Sequence, residues 1–232
     1  MHSMRKWTTR LWQAIGLAMA IAPLIGQQAA QTSGARLNVP APLFFREDWK
    51  QPPPSDEDGI PATQEAVSNP KLELKLYGPS GQNILLAGNR ANSPMPLNLW
   101  TGNTTSPSAA TLRHVDSYVD LTGSAKLRWV TRTSGFHVAR PVVKLADKSW
   151  LVGDIVSGTW ADFNESEISF SEVRWMVLDI ERIVTKGRWV ENPDLSKVDE
   201  VGFADLMPGS GHGPGGFVNV CRIEVYGRPV KR

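Results

Sequence analysis

Ser117-Tyr-Val-Asp-Leu-Thr-Gly-Ser-Ala-Lys-Leu-Arg-Trp-Val-Thr-Arg132 reads as a short strand, a turn over Thr122 to Ser124 centred on Gly123, and a second strand. In the second strand Leu127, Trp129 and Thr131 fall on one side and Lys126, Arg128 and Arg132 on the other, the two-residue period of a strand with one face buried. Val138 to Leu145 and the closing Cys221 to Tyr226 carry comparable patterning. An antiparallel sheet protein follows, because its strands bury one face and leave the other to water.

The same reading extends in both directions. Leu43 to Trp49 is aromatic and apolar enough for a first strand, ended by the prolines at 52 to 54, which cannot donate to a ladder. Pro61 to Val67 has the composition of one or two helical turns. Leu72, Leu74 and Leu76 alternate with Lys71, Glu73 and Lys75. Further short strands are expected at 84–87, 97–100, 110–115, 149–155, 167–170, 173–180, 197–206 and 217–226. Ile180 to Thr185 is too short to introduce a helix that would alter the class. Short strands at regular spacing, divided by Gly, Pro, Asn and Ser, describe a single all-β sandwich over residues 43–232.

Residues 1–30 have the layout of a signal peptide: a basic start at Arg5, Lys6 and Arg10, an apolar run from Leu11 to Ile25, and the small residues Ala29 and Ala30 near a cleavage point. The run is interrupted by Gln13, Gly16 and Pro23 and is short of the about 20 apolar residues that span a bilayer. Residues 31–42 form a linker. The expected protein is therefore secreted or periplasmic, free of the membrane after cleavage, and monomeric. The formal charge of +2 rests on the leader, since the remainder carries 22 basic against 23 acidic residues. No net positive field is left for nucleic acid. With one cysteine there is no intrachain disulfide. Cys221 alternates with Ile223 and Val225, which places it as a small buried residue on a core face.

Several chemistries can be weighed from residue type and spacing. The Gly-rich stretch from Met207 to Phe217 lacks the Gly-Lys-Ser/Thr ending and the helix that a phosphate loop needs, and it leads to a strand, so it is no nucleophile elbow either. His114, His137 and His212 are isolated and do not make a zinc set. If the first and last strands pair, Glu47, Asp48 and Glu224 offer oxygen ligands for a structural calcium, the one cofactor that the sequence raises. Glu165 with Glu167, and Asp179 with Glu181, share strand faces by the two-residue period. They are the acids that a glycoside hydrolase or lyase on a concanavalin-like sandwich would use, provided a pair faces one groove about 5 to 10 Å apart. Asn103-Thr-Thr and Asn164-Glu-Ser match the N-glycosylation acceptor.

Nine tryptophans are the stronger signal. Trp129 and Trp175 alternate with apolar neighbours and belong in the core. Trp100, Trp160 and Trp189 stand near polar loops that also carry Asn103 and Asp162. A sugar needs that combination, a flat ring for its C–H face and amides or carboxylates for its hydroxyls.

Tyr118-Val-Asp-Leu-Thr-Gly, Leu127-Arg-Trp, Trp150, Arg188-Trp189, Asn192-Pro-Asp-Leu-Ser-Lys-Val-Asp-Glu-Val-Gly-Phe203 and Arg222-Ile-Glu-Val-Tyr-Gly227 together resemble the galactose-binding-like jelly rolls. The branch is the one that includes family 11 carbohydrate-binding modules and the complex I intermediate-associated proteins. The chain is similar as well to a group of exported bacterial proteins. The resemblance covers roughly residues 116–230 and implies a jelly-roll sandwich. Its motifs mark strands and turns, so no binding residue is carried over from it. The reading that follows is a non-catalytic module for a carbohydrate or another extracellular polymer, with Trp100, Trp160, Trp189, Asn103 and Asp162 as ligand contacts. The alternatives are the hydrolase or lyase above, and a structural or assembly protein of the cell envelope.

Overall fold

The computed structural model describes residues 39–53, 56–157, 161–207 and 216–232. The expected signal peptide, most of the linker, Trp160 and the centre of the Gly-rich stretch lie outside the described residues. Sixteen strands are assigned among the described residues. The first eight are β1 (Leu43–Glu47), β2 (Ile60–Pro61), β3 (Leu72–Tyr77), β4 (Leu85–Ala87), β5 (Asn98–Trp100), β6 (Ser108–His114), β7 (Ser117–Asp120) and β8 (Lys126–Ser134). Then follow β9 (Arg140–Leu145), β10 (Trp150–Gly153), β11 (Asn164–Ser169), β12 (Trp175–Asp179), β13 (Val184–Val190), β14 (Val198–Asp205), β15 (Phe217–Tyr226) and β16 (Arg228–Lys231). The helical turns expected near 61–67 shrink to a 3-10 turn at Gln64–Ala66.

Every strand pair is antiparallel, and the strands form two sheets. The first runs β11, β8, β15, β5, β4, β2, with β1 beside the C-terminal half of β15. The second runs β13, β12, β10, β9, β14, β6, β3, with β7 attached at β14 and β16 paired to β7. One continuous core lies between them, with Leu127, Trp129, Ile223 and Val225 from the first sheet and Leu112, Val143, Leu151, Trp175, Val201 and Phe203 from the second. The expected all-β sandwich is the observed one. β8 follows its sequence period: Leu127, Trp129, Thr131 and Thr133 are buried, and the residues between them are half-buried. Gly123 makes the turn before it at φ 68°, in the left-handed region that glycine enters without a Cβ clash.

Cys221 departs from its expected place. Val220 pairs with Thr131 and Arg222 with Val130, so Cys221 is the extra residue of a β-bulge and is partly exposed. The bulge switches parity: Val218 and Val220 are buried before it, Ile223 and Val225 after it.

The outer face of the second sheet is closed by its own side chains. Tyr77 on β3 and Trp150 on β10 touch with ring centroids 4.8 Å apart. Four strand steps separate them, roughly 19 Å in a flat sheet. The sheet therefore curls, and Ile183, in the turn between β12 and β13, reaches Gly78 after β3. Ala109, Val142, Trp150, Val152, Leu178, Ile183 and Ala204 fill the concavity. Glu200, 1 % exposed, accepts hydrogen bonds from the Tyr77 hydroxyl (2.9 Å), the Thr111 hydroxyl (2.6 Å) and the Lys144 ammonium (2.8 Å).

The charges at this sheet's margin set a pH dependence. Burial pushes the Asp199 carboxyl up, but Arg232, Lys144 and Arg113 outweigh it and hold it below its ordinary value. A hydrogen bond from Arg113 does the same for Glu73, against a smaller burial effect and with help from Lys75. For carboxylates lowered on folding, the stabilisation is complete above the unfolded value of about 4 and is lost as pH falls through the folded one. Tyr77 is raised, by burial first and then by Glu200, and Lys144 is raised because Glu200 and Asp199 outweigh its burial. Their contributions hold below about pH 10 and are lost in alkali. Denaturant midpoints are thus expected to be level from about pH 5 to 9 and to fall below about pH 4, with a shallower acid fall in Asp199→Asn. A midpoint unchanged down to about pH 3 would contradict this.

Candidate functional site

With one outer face closed, the open surface is the outer face of the first sheet. The period of β8 turns Lys126, Arg128, Val130 and Arg132 outward. On β15 the outward residues are Phe217 and Asn219 before the bulge, and Arg222, Glu224 and Tyr226 after it. Register then sets them in rows. Trp100 on β5 pairs with Asn219 on β15, and Asn219 pairs with Arg132 on β8. Leu85 on β4 stands on the other side of Trp100. Trp100, Asn219 and Arg132 thus form one line across three strands, its ends two strand spacings or roughly 10 Å apart.

This row lies in a depression of about 270 Å³ whose other walls are Asp58, Ala87, Met95 and Phe217. The Trp100 ring is half-buried and held flat against the chain: a Cβ on Gly102 would lie 2.0 Å from its Cε2 and Cζ2. Its backbone is fixed through Thr101, whose N–H donates to the Val218 carbonyl (3.0 Å) and whose Oγ1 accepts from the Val218 N–H (2.9 Å). The same hydroxyl donates to buried Asp205 (3.1 Å), and Asp205 Oδ2 also holds His137 Nδ1 (2.7 Å). Asn219 is 3 % exposed. Asn98 Nδ2 donates to the Pro96 carbonyl (2.9 Å), so Asn98 turns its Oδ1 to the neighbouring strand and receives Asn219 Nδ2 at 2.6 Å. Asn219 Oδ1 is left as a buried acceptor with no partner among the described residues. The Arg132 guanidinium carbon lies 5.3 Å from the centroid of the Phe217 ring, and its Nη1 donates to Met95 Sδ at 3.5 Å. The depression is lined by an aromatic ring and a guanidinium, and between them in the row stands Asn219 with its unpaired amide oxygen buried.

Comparisons with known proteins address the fold. No protein-family model and no curated protein matches the chain. Among solved structures it is similar to the family 11 carbohydrate-binding module of a cellulosomal cellulase of Clostridium thermocellum, at 16 % identity and a TM-score of 0.36, over 68 % of this chain and 82 % of that one. It is similar as well to a Clostridium thermocellum family 11 module in complex with a β-1,3-1,4-mixed-linked tetrasaccharide, at 14 % identity and a TM-score of 0.39, over 81 % and 99 % of the two chains. An exo-β-agarase aligns at 11 % identity and a TM-score of 0.39 over 76 % of this chain, which spans only 25 % of the agarase. At this similarity no ligand and no residue role passes from those proteins to this chain.

The other expected site residues are dispersed. Trp189 lies within a strand, β13 of the second sheet, and is 47 % exposed. The Arg174 guanidinium covers its ring at 4.6 Å and is itself held by Asp154 at 2.7 Å. A depression of about 610 Å³ beside it is lined by Phe170, Val173, Trp175, Glu191 and Asn192 among others. Trp100 and Trp189 therefore do not share one surface. Asn103 and Asp162 are exposed, and neither lines the Trp100 depression.

Of the acids expected to form a catalytic pair, one pair shares a face but is occupied by cations, and the other shares no face. Glu165 and Glu167 do share the outer face of β11, but Glu165 pairs with Arg222 and Glu167 with Lys126 (2.9 Å) and Arg128 (3.1 Å). Hydrogen bonds from Lys126 and then Arg128 hold Glu167 below its ordinary value despite some burial, the wrong direction for a proton donor. Asp179 ends β12 and accepts the Glu181 N–H at 3.2 Å as part of a turn, so this pair shares no strand face.

The calcium set is not assembled either. Glu47 is buried and accepts three backbone N–H groups, from Trp49 (2.8 Å), Ser68 (2.7 Å) and Asn69 (3.0 Å). Asp48 pairs with Arg46 at 2.5 Å, and Glu224 with Arg46 at 3.3 Å and the Tyr226 hydroxyl at 2.8 Å. An N–H aimed at a carboxylate oxygen occupies the place a cation would take. No group of three or more His, Cys, Asp or Glu side chains is placed to hold a metal among the described residues.

Proposed function

We propose that the chain is a non-catalytic module that binds a polysaccharide outside the cytoplasm, on the outer face of the first sheet, through Trp100, Asn219 and Arg132. The observation that carries this is Asn219 Oδ1, a buried amide oxygen without a partner among the described residues, beside a rigid and partly exposed indole. An unpaired buried acceptor costs about 1–3 kcal/mol, and a ligand hydroxyl that reaches it through a small shift of the surrounding side chains recovers that cost. A sugar supplies both halves of the match, hydroxyl donors for the amide and an apolar C–H face for the ring. The site is built on strands, so little order has to be imposed on binding.

The test is retention on a panel of polysaccharides by affinity electrophoresis. Trp100→Ala is expected to weaken retention at least about thirtyfold, the result of removing a central aromatic anchor worth about 2 kcal/mol or more. Its unfolding midpoint should stay near that of the parent, and Trp189→Ala should bind as the parent does. Retention lost in Trp189→Ala but kept in Trp100→Ala would move the site to the second sheet. Release of sugar, abolished by Glu167→Gln, would return the hydrolase reading.

A further inference from the structure

Resting on that reading, we infer that the polysaccharide is anionic, with sugars that carry carboxylate or sulfate groups, and that Arg132 is the residue that selects it. Lys126, Arg128, Arg46 and Arg222 all have carboxylate partners on this face: Glu167 for Lys126 and Arg128, Glu224 for Arg46, Glu165 for Arg222. Those four cations and the acids Asp48, Glu165, Glu167 and Glu224 balance one another. Arg132 has no carboxylate partner among the described residues. Its contacts are the face of Phe217 and the sulfur of Met95, a weak acceptor that takes one N–H and satisfies little of the fork.

The depression holds one acid, Asp58, which pairs with Arg90 at 2.9 Å, while Arg90 is steadied by two hydrogen bonds to the Asp56 carbonyl. That leaves Arg132 as the cation of the depression without a carboxylate partner among the described residues. The guanidinium lies over the Phe217 ring, and a guanidinium fork binds a planar carboxylate through two parallel N–H bonds. A sugar ring on Trp100 with a hydroxyl at Asn219 extends along the row toward Arg132. A neutral polymer leaves the guanidinium unmatched; an acidic one completes it.

The test uses the purified chain with oligomers of polygalacturonate and alginate for carboxylate, a sulfated galactan for sulfate, a neutral β-glucan, and polyglutamate as an acidic polymer without sugar. Each is titrated at about 50 and about 500 mM NaCl, on either side of the salt at which exposed charges are largely screened. One acidic glycan class is expected to bind about tenfold or more tighter than the β-glucan, with the preference shrinking in high salt. Which class responds tells carboxylate from sulfate. Arg132→Gln is expected to erase the preference and the salt dependence while leaving the unfolding midpoint unchanged, and Arg132→Lys to keep part of both. Equal binding of neutral and acidic glycans, unaffected by Arg132→Gln but lost in Trp100→Ala, would overturn the anionic inference and leave the glycan reading standing. Polyglutamate bound as tightly as any glycan, with no effect of Trp100→Ala, would overturn both in favour of a protein partner.

Discussion

Glu47→Ala is expected to destabilise the domain by about 2–4 kcal/mol, because it strips the acceptor from one buried and two partly buried N–H groups at once. Glu47 ends β1 facing inward, and its two oxygens tie that strand to Trp49, Ser68 and Asn69. Trp49 needs the support: its φ of 63° is in the left-handed region, uncommon for an aromatic residue, and its indole donates to the Val220 carbonyl at 2.8 Å. Without the carboxylate the strained turn and the indole anchor loosen together, and β1 is released from β15. For a domain whose whole stability is about 5–15 kcal/mol, the loss should show as a large drop in the urea midpoint. Glu47→Gln should recover only part of it, since one amide oxygen cannot serve three donors and the amide nitrogen meets an N–H. A loss under about 1 kcal/mol in Glu47→Ala would mean that these N–H groups find water instead.

Asp205→Ala is the second large effect, about 2–4 kcal/mol, by breaking a buried hydrogen-bond cluster. His137, Thr101 and the Met207 N–H all lose their acceptor. The consequence reaches the site, since Thr101 is what fastens Trp100 to β15. Glycan affinity should therefore fall in Asp205→Ala even at temperatures where the protein is still folded, and Asp205→Asn should restore part of both stability and affinity. Binding that is unchanged while stability drops would show that the turn after Trp100 is held by Gly102 and the Val218 ladder alone.

How much of this was legible in the sequence depends on what each feature needed. The alternation of Lys126 to Ser134 is local, and burial follows it residue by residue. β13 carries no such signal, because it is an edge strand with nearly every residue exposed, so its alternation has no apolar side. Cys221 misled for the opposite reason: Cys221, Ile223 and Val225 keep a perfect period, and only pairing with β8 shows the bulge that interrupts it. Glu47 read as a calcium ligand beside Asp48, yet it shares the inward parity of Phe45. The indole of Trp100 was readable as a ring near polar loops. Its partners were not, because Asn219 and Arg132 meet it only through the register of β5, β15 and β8, and Asn219 gains meaning only once Asn98 has taken its amide nitrogen.

The most direct measurement is nuclear magnetic resonance of the full chain, titrated with oligosaccharides of whichever polymer retains it, following the tryptophan indole N–H signals and the asparagine side-chain amides. The binding row predicts that the Trp100 indole and the Asn219 amide shift together and saturate at one affinity, while the Trp189 indole stays still. Movement of Trp189 with Trp100 and Asn219 silent would contradict it.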